Sequence, residues 1–351
     1  MSSKKSRWGK GLTCRIGFFD QGGLWWPVHK PGIQEIGLFR GLDKVIAERL
    51  RPGDRVGIVA PSAPIPEGLE AQFQRGLEFL RDLGLEPIPG RHLFSRSLGY
   101  AASPEEKLED LYGFFADPAI KALICAQGGD TANACLSGLD WEVIRKHPKI
   151  FMGRSDNTVL LNALYQMTGL ITFHGHDVLW GFGKRPTAYD RQEFISRLMR
   201  GETGKIPPSA ERRTVRGGSA EGRLLGGNLR CLLKLAGTPF FPNLEGAVLF
   251  LESFTMTPER CDYLLRQLMQ MGVWDRIVGA VIGYIHGLER QGGSGPPMED
   301  LLKALTPKHP FPILKVRDFG HACPNTVLPV GALVRLDADR QEIEILEPFL
   351  A

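Results

Sequence analysis

The chain has 351 residues, 43% of them hydrophobic, enough for one large or two ordinary domains with real cores. Its 43 Lys and Arg stand against 39 Asp and Glu, a net charge of +4; with no basic block carrying interleaved aromatics, the balance excludes a nucleic-acid partner. No apolar run reaches membrane-spanning length and the start lacks a basic-then-apolar secretion pattern, which excludes a membrane partner and predicts a cytoplasmic protein.

Residues 1–44 start basic, contain Trp25-Trp26-Pro27 and show little periodicity. They read as an extension, either flexible or an arm over a partner subunit. From Gly53 the rhythm becomes strand then helix. Residues 55–60 form a short apolar strand ending in Pro61-Ser62, and residues 68–83 have helical apolar spacing. Residues 104–115 predict a second helix capped by Ser103. The apolar run 122–126 is a strand leading into Gly128-Gly129; 150–152 is another, followed by a helix over 157–167 and a strand over 171–173. This alternation implies a mostly parallel, doubly wound sheet with helices on both faces. Ligands in such sheets sit beyond the carboxyl ends of the strands.

Residues 183–220 are polar, and 201–220 read as a linker or mobile loop. A smaller C-terminal α/β domain is expected over 221–351, after an N-terminal domain over 45–200. The second domain holds a helix over 228–236, a strand over 248–251, a helix over 258–271 and a strand over 277–285. Val334-Arg-Leu336 and Glu342-Ile-Glu-Ile-Leu346 alternate like a closing hairpin. The six cysteines, Cys14, Cys125, Cys135, Cys231, Cys261 and Cys323, form no C-x-x-C pair and read as reduced thiols.

Four segments carry chemical potential. In Gln127-Gly128-Gly129-Asp130-Thr131-Ala132-Asn133 a buried strand stops at two glycines and a helix begins. Glycine permits the sharp turn, and free amides at a new helix start can hold an anion or form an oxyanion hole; an ordinary strand-to-helix turn explains the same pattern. The spacing is neither a dinucleotide fingerprint nor a P-loop. Glu252 follows a buried strand at its ligand end, or is simply a solvated strand end. His321, in Asp318-Phe-Gly-His321, can reach a cleft or serve as a structural histidine. In Gly153-Arg154-Ser155-Asp156, Ser155 or Asp156 can cap the following helix or contact a ligand. His174-Gly-His176-Asp177 invites a metal, but no third ligand of familiar spacing follows. The loop over 292–297 is glycine-rich without a phosphate-binding lysine.

Together these segments resemble the LD-carboxypeptidase family of serine peptidases, which includes the microcin C self-immunity peptidases. The likeness runs from about Leu50 to the C-terminus through RPGDRVGIVAPSAP, FADPAIKALICAQGGDTAN, HPKIFMGRSDNTVLLNALYQMTGLITFHG, GRLLGGNLRCLLKLAGTP, GAVLFLES and FGHACPNTVLPVGALVRLD. It implies a site between two domains, homodimers, a small peptide or muropeptide substrate, and no metal or organic cofactor. It also implies a Ser-Glu-His triad: the glutamate falls on Glu252, the histidine on His321, and the serine on Ala132. Gly128, Gly129, Asp130, Asn133, Ser155, Asp156 and Asn228 fall where the oxyanion and substrate would be held.

Alanine cannot attack a carbonyl. Thr131 is one residue early, and Cys135 and Ser137 lie further along. Ala132 is either an engineered Ser→Ala change that leaves substrate uncleaved or natural to this branch; the second case suggests a non-catalytic binding protein on the same scaffold. A nucleotide-dependent oxidoreductase would fit the alternation but lacks the phosphate fingerprint. The microcin-immunity members should carry basic residues shortly after the glutamate. Here the segment reads Ser253-Phe-Thr-Met256, and 201–220 contains no aromatic to stack on a base. Both departures weaken a nucleotide-peptide reading and place a muropeptide or other small peptide amide at least level with it.

Overall fold

The computed structural model describes residues 43–289 and 295–351. The expected N-terminal extension, apart from its last two residues, and part of the loop over 292–297 lie outside the described residues.

Strand β1 (Arg55–Val59) is apolar after its first residue, and those four residues are buried. Such a run is stable only where both faces of the sheet are covered. It pairs in parallel with β2 (Glu86–Pro89) on one side and β3 (Ile120–Cys125) on the other. Beyond β3 come β4 (Ile150–Gly153) and β5 (Thr172–His174), also parallel. The order β5-β4-β3-β1-β2 reverses direction between β1 and β3, so a crevice opens beyond the carboxyl ends of those two strands. Helices Glu70–Arg81, Pro104–Ala116 and Thr158–Thr168 each bury an apolar face in the common core. Ser103 caps the second of these in a full capping box with Glu106, as its sequence predicts.

The second sheet has eight strands: β6 (Gly204–Lys205), β7 (Arg213–Arg216), β8 (Ser219–Asn228), β9 (Ala247–Ser253), β10 (Gly279–Ile285), β11 (Ile313–Gly320), then β13 (Leu333–Asp337) and β14 (Glu342–Ile345) after the intervening β12 (Leu328–Val330). Its centre, β8-β9-β10-β11, is parallel. The closing hairpin β13-β14 is present, with Val334 opposite Ile345. Strand β12 leaves this sheet and pairs antiparallel with β5 of the first, Leu328 opposite His174.

Three expectations change. The helix over 228–236 is one α turn, Leu229–Leu232, continued by a 3-10 turn, Leu233–Leu235. The polar stretch before 200 folds into a helix, Ala188–Phe194, that ends in a π turn. The segment 201–220 is a bonded part of the second sheet rather than a free linker: it supplies β6, β7 and the start of β8. Its Pro and Gly content signalled a loop, but Arg212 overrides that signal. The guanidinium is buried and donates to Asp318 Oδ2 at 2.7 Å, to Gln341 O and to Ile206 O. The other Asp318 oxygen accepts the Ser209 amide at 2.6 Å.

Removing one partner of a buried pair leaves the other charge without compensation, at a cost of about 3–5 kcal/mol. Arg212→Ala should therefore lower the unfolding free energy by about that amount in urea denaturation, and a denaturation midpoint unchanged from the parent would refute the tethering role of Arg212–Asp318.

Candidate active site

The glycine turn lies where β3 ends. Gly129 adopts φ 149°, and a Cβ there would stand 2.6 Å from both Ser62 Oγ and Ala63 Cβ. A Cβ on Gly128 would stand 2.7 Å from Ser155 Cβ. Glycine is required at both positions because three turns crowd together, those after β1, β3 and β4. Ser155 itself is held at φ 58°, a left-handed conformation that a serine adopts only when its surroundings impose it.

The glycines lead into a 3-10 turn, Ala132–Gly138, rather than an α-helix. The Ala132 amide is not free for an anion, because it donates to Asp156 Oδ2 at 2.8 Å. The same oxygen accepts Ser62 Oγ at 2.6 Å. Asp156 Oδ1 binds Lys234 Nζ, which also donates to Asp130 O at 2.8 Å. Asp156 is thus not the helix cap that its position suggests. It is a fully buried carboxylate tying the turns after β1 and β3 to the 3-10 turn that lies beyond β8. Asp130 and Asn133 are exposed on the turn.

Glu252 and His321 meet. Glu252 Oε2 lies 2.7 Å from His321 Nδ1, and Glu252 is fully buried near the end of β9. Asn228 donates to the second oxygen, Oε1, at 2.9 Å, while its own amide donates to Thr158 Oγ1. Burial raises the Glu252 carboxyl, but the His321 charge and hydrogen bond, with His174 and Asn228, outweigh it and hold the carboxyl below its ordinary value. The carboxylate can therefore orient the imidazole and stabilise its charged form. The Gly320 peptide ahead of His321 is pinned on both sides: its amide donates to Asn325 Oδ1, and its carbonyl accepts from Asn325 Nδ2 and from Arg154 Nη1 at 3.2 Å. Arg154 is itself buried and paired with Asp177 at 2.9 Å.

The other nucleophile candidates are unsuited. Thr131 Oγ1 donates to Ser62 O and accepts from Lys107 Nζ. Burial pushes the Cys135 thiol up to about 12, so it is not a thiolate at neutral pH. Ser137 is exposed further along the turn. The two histidines of the 174–177 segment have separate surroundings. His176 Nε2 lies 3.0 Å from Asp190. The His174 ring packs edge-on against Phe250 and Phe319, and among the described residues neither of its nitrogens has a hydrogen-bond partner. No group of three His, Cys, Asp or Glu side chains that could hold a metal occurs among the described residues. No helix among them is long and apolar enough to cross a membrane.

Residues 56–175 match the LD-carboxypeptidase N-terminal domain and residues 221–336 the LD-carboxypeptidase C-terminal domain. The chain belongs to the LD-carboxypeptidase family. It is 34% identical over 291 residues to the probable murein peptide carboxypeptidase of Bacillus subtilis (strain 168), covering 81% of this chain and 88% of that one. To the microcin C7 self-immunity protein MccF of Escherichia coli it is 29% identical over 335 residues, 88% of this chain and 97% of that one. The solved structure of MccF in complex with aspartyl sulfamoyl adenosine superposes with a TM-score of 0.80 at 26% identity, covering 88% of this chain and all of that one. LD-carboxypeptidases are serine-type hydrolases, and the two-sheet α/β architecture of this member is the one its relatives share.

Several residues around the candidate site escape sequence reasoning. Ser62 lies at the start of the loop after β1, and the rule that ligands gather at carboxyl ends of strands would have found it. Arg154 stands inside a segment read only for its serine and aspartate. Lys234 had no signal, because its partners lie 78 and 104 positions away. Trp180, half-exposed, donates its indole N–H to Gln127 Oε1 beside the glycine turn.

These contacts set two measurable outcomes. Asp156→Ala leaves Ser62 Oγ and the Ala132 amide without acceptors, and should cost about 3 kcal/mol in denaturant unfolding; a loss well under 1 kcal/mol would remove Asp156 from its organising role. Burial pushes the His174 imidazole down to about 4, with the Glu252 charge opposing the shift and the Arg154 charge adding to it. The unfolded chain then binds a proton in the range where the folded one does not. Stability from this group is complete above about pH 6.5 and should fall, on the order of 3 kcal/mol, as pH drops toward 4. His176, also lowered by burial, adds in the same direction. Denaturation midpoints across that window should slope less in His174→Phe than in the parent.

Proposed function

We propose that this protein is a serine-type LD-carboxypeptidase scaffold for a small peptide amide, a muropeptide or a peptide-like antibiotic, with position 132 as the nucleophile position. The observation that carries the reading is the buried Glu252–His321 pair, fixed from behind by Asn228. An imidazole held at Nδ1 by a carboxylate leaves Nε2 to take and return a proton, which is the general-base half of acyl transfer. With a serine at 132, Oγ attacks the substrate carbonyl and its proton passes to His321 Nε2. The tetrahedral oxyanion is taken by backbone amides of the turn. Because the Ala132 amide is committed to Asp156, the amides of Gly129 and Asn133 are the donors in this reading. His321 then protonates the leaving amine, and water hydrolyses the acyl-enzyme by the reverse proton path. The chemistry asks for neither metal nor organic cofactor. Gly128, Asp130, Ser155 and Asp156 shape the substrate cradle.

The substrate class rests on two supports. One relative is named a probable murein peptide carboxypeptidase; another, MccF, has been solved with aspartyl sulfamoyl adenosine. In this chain Phe254 and the buried Met256 follow Glu252, and no cation stands between 253 and 256 to meet a phosphate, which favours the peptide side. The reading takes the protein to be cytoplasmic and, as in the family resemblance, a homodimer.

A specific observation supports a second reading, that of a binding protein: Ala132 itself, with Thr131 and Cys135 unable to replace it. One experiment separates the two. Parent and Ala132→Ser are assayed in parallel against LD-linked muropeptides and aspartyl or glutamyl amides, with binding followed by calorimetry. Under the peptidase reading both bind, and Ala132→Ser turns over faster by up to the order of a millionfold, the size of loss when a triad nucleophile is removed from subtilisin. A folded Ala132→Ser variant that binds ligand without turnover establishes the binding role instead.

A further inference from the structure

Phe254 stands two residues beyond Glu252, in the bend just past the end of β9. It is a large apolar side chain left 43% exposed, so core packing does not account for it. Two imidazoles stack on its ring: His321 at 4.7 Å between centroids with 28° between planes, and His286 at 4.5 Å with 29°.

The backbone around Phe254 is clamped. The His286 amide donates to Ser253 O at 2.9 Å, the Met256 amide donates to His286 O at 2.8 Å, and the Thr255 amide donates to His286 Nδ1 at 3.3 Å. Thr255, a β-branched residue, is held at φ 52° with its hydroxyl donating to Phe254 O. That conformation is disfavoured for threonine and persists only because the turn is over-determined. The three bonds to residue 286 therefore fix where the Phe254 ring stands, and His286 backs it.

We propose that Phe254 is a positioning residue for His321. The bond from His321 Nδ1 to Glu252 fixes one atom of the imidazole and leaves the ring free to tilt about it. A flat ring lying nearly parallel at 4.7 Å removes that freedom. It also shields one face of the Glu252–His321 bond from water, which strengthens the bond, and its π face favours the imidazolium that forms when the proton is taken. Glu252 sets the direction of the imidazole and Phe254 its plane. The effect on turnover rests on the peptidase reading given above; the restraint on the ring does not.

The test has two arms. In the parent protein, with alanine at 132, the imidazole proton resonances of His321 are recorded by NMR in the parent, Phe254→Leu and Phe254→Tyr. Stacking predicts ring-current shifts in the parent and in Phe254→Tyr that vanish in Phe254→Leu, where the Nδ1 proton also exchanges faster with water. In the Ala132→Ser background, Phe254→Leu should lower kcat by about tenfold or more, in keeping with the sensitivity of catalysis to small misplacements, while KM stays within about twofold; Phe254→Tyr should retain the rate. Unchanged His321 resonances in Phe254→Leu overturn the proposal. So does an effect on KM alone, which would make Phe254 a substrate contact. An inactive Ala132→Ser protein removes the peptidase reading, and the NMR arm then decides the restraint by itself.

Discussion

One buried carboxylate holds this site together. Asp156 has no exposed surface, and each of its contacts comes from a different part of the chain: the hydroxyl of Ser62 after β1, the amide of Ala132 after β3, and the ammonium of Lys234 after β8. A charge taken out of water is tolerable only when its lone pairs are filled by well-placed donors. The turns after β1, β3 and β8 therefore converge on the turn after β4 that carries Asp156, because each supplies what the carboxylate needs. The close approach this forces explains why Gly128 and Gly129 cannot carry side chains, and why Ser155 is bent into a left-handed conformation.

The Glu252–His321 pair is built on the same logic from the other sheet. Glu252 is buried, one of its oxygens filled by Asn228 and the other by His321. Asn228 is in turn tied to Thr158, which opens the helix directly after Asp156 and Asn157. The two carboxylates are linked through that helix start, and Arg154 adds a second link by joining Asp177 to the carbonyl before His321. Each side chain with chemical potential is thereby held by partners whose own positions are fixed, which is the arrangement that limits reorganisation at a reacting centre.

Much of the fold is legible in local pattern. The apolar runs of β1, β3, β4 and β9 and the Ser103 capping box appear in the sequence because they depend on neighbours a few residues away. The glycine turn, Glu252 and His321 stand out for a related reason, since strand ends face the ligand side of an α/β sheet. What stays hidden depends on distant partners. Arg212 converts a Pro- and Gly-rich stretch into a bonded part of the sheet through Asp318, 106 positions away. Asp156 looks like a helix cap because nothing near it shows Ser62 or Lys234. Phe254 reads as one more hydrophobic residue, because its meaning lies in two histidines far downstream, His286 and His321.

The return of β12 to the first sheet has a consequence for how the chain is made. Leu328–Val330 pairs with β5 and covers what is otherwise a free edge of the first sheet. Unpaired edges are where strands from other chains add. During synthesis, β5 leaves the ribosome more than 150 residues before the strand that covers it, so the nascent first half carries an adhesive edge until Leu328–Val330 has been made. A polypeptide cut between the two sheets would keep that edge permanently, and its halves would be better suited to associating with each other than to existing apart.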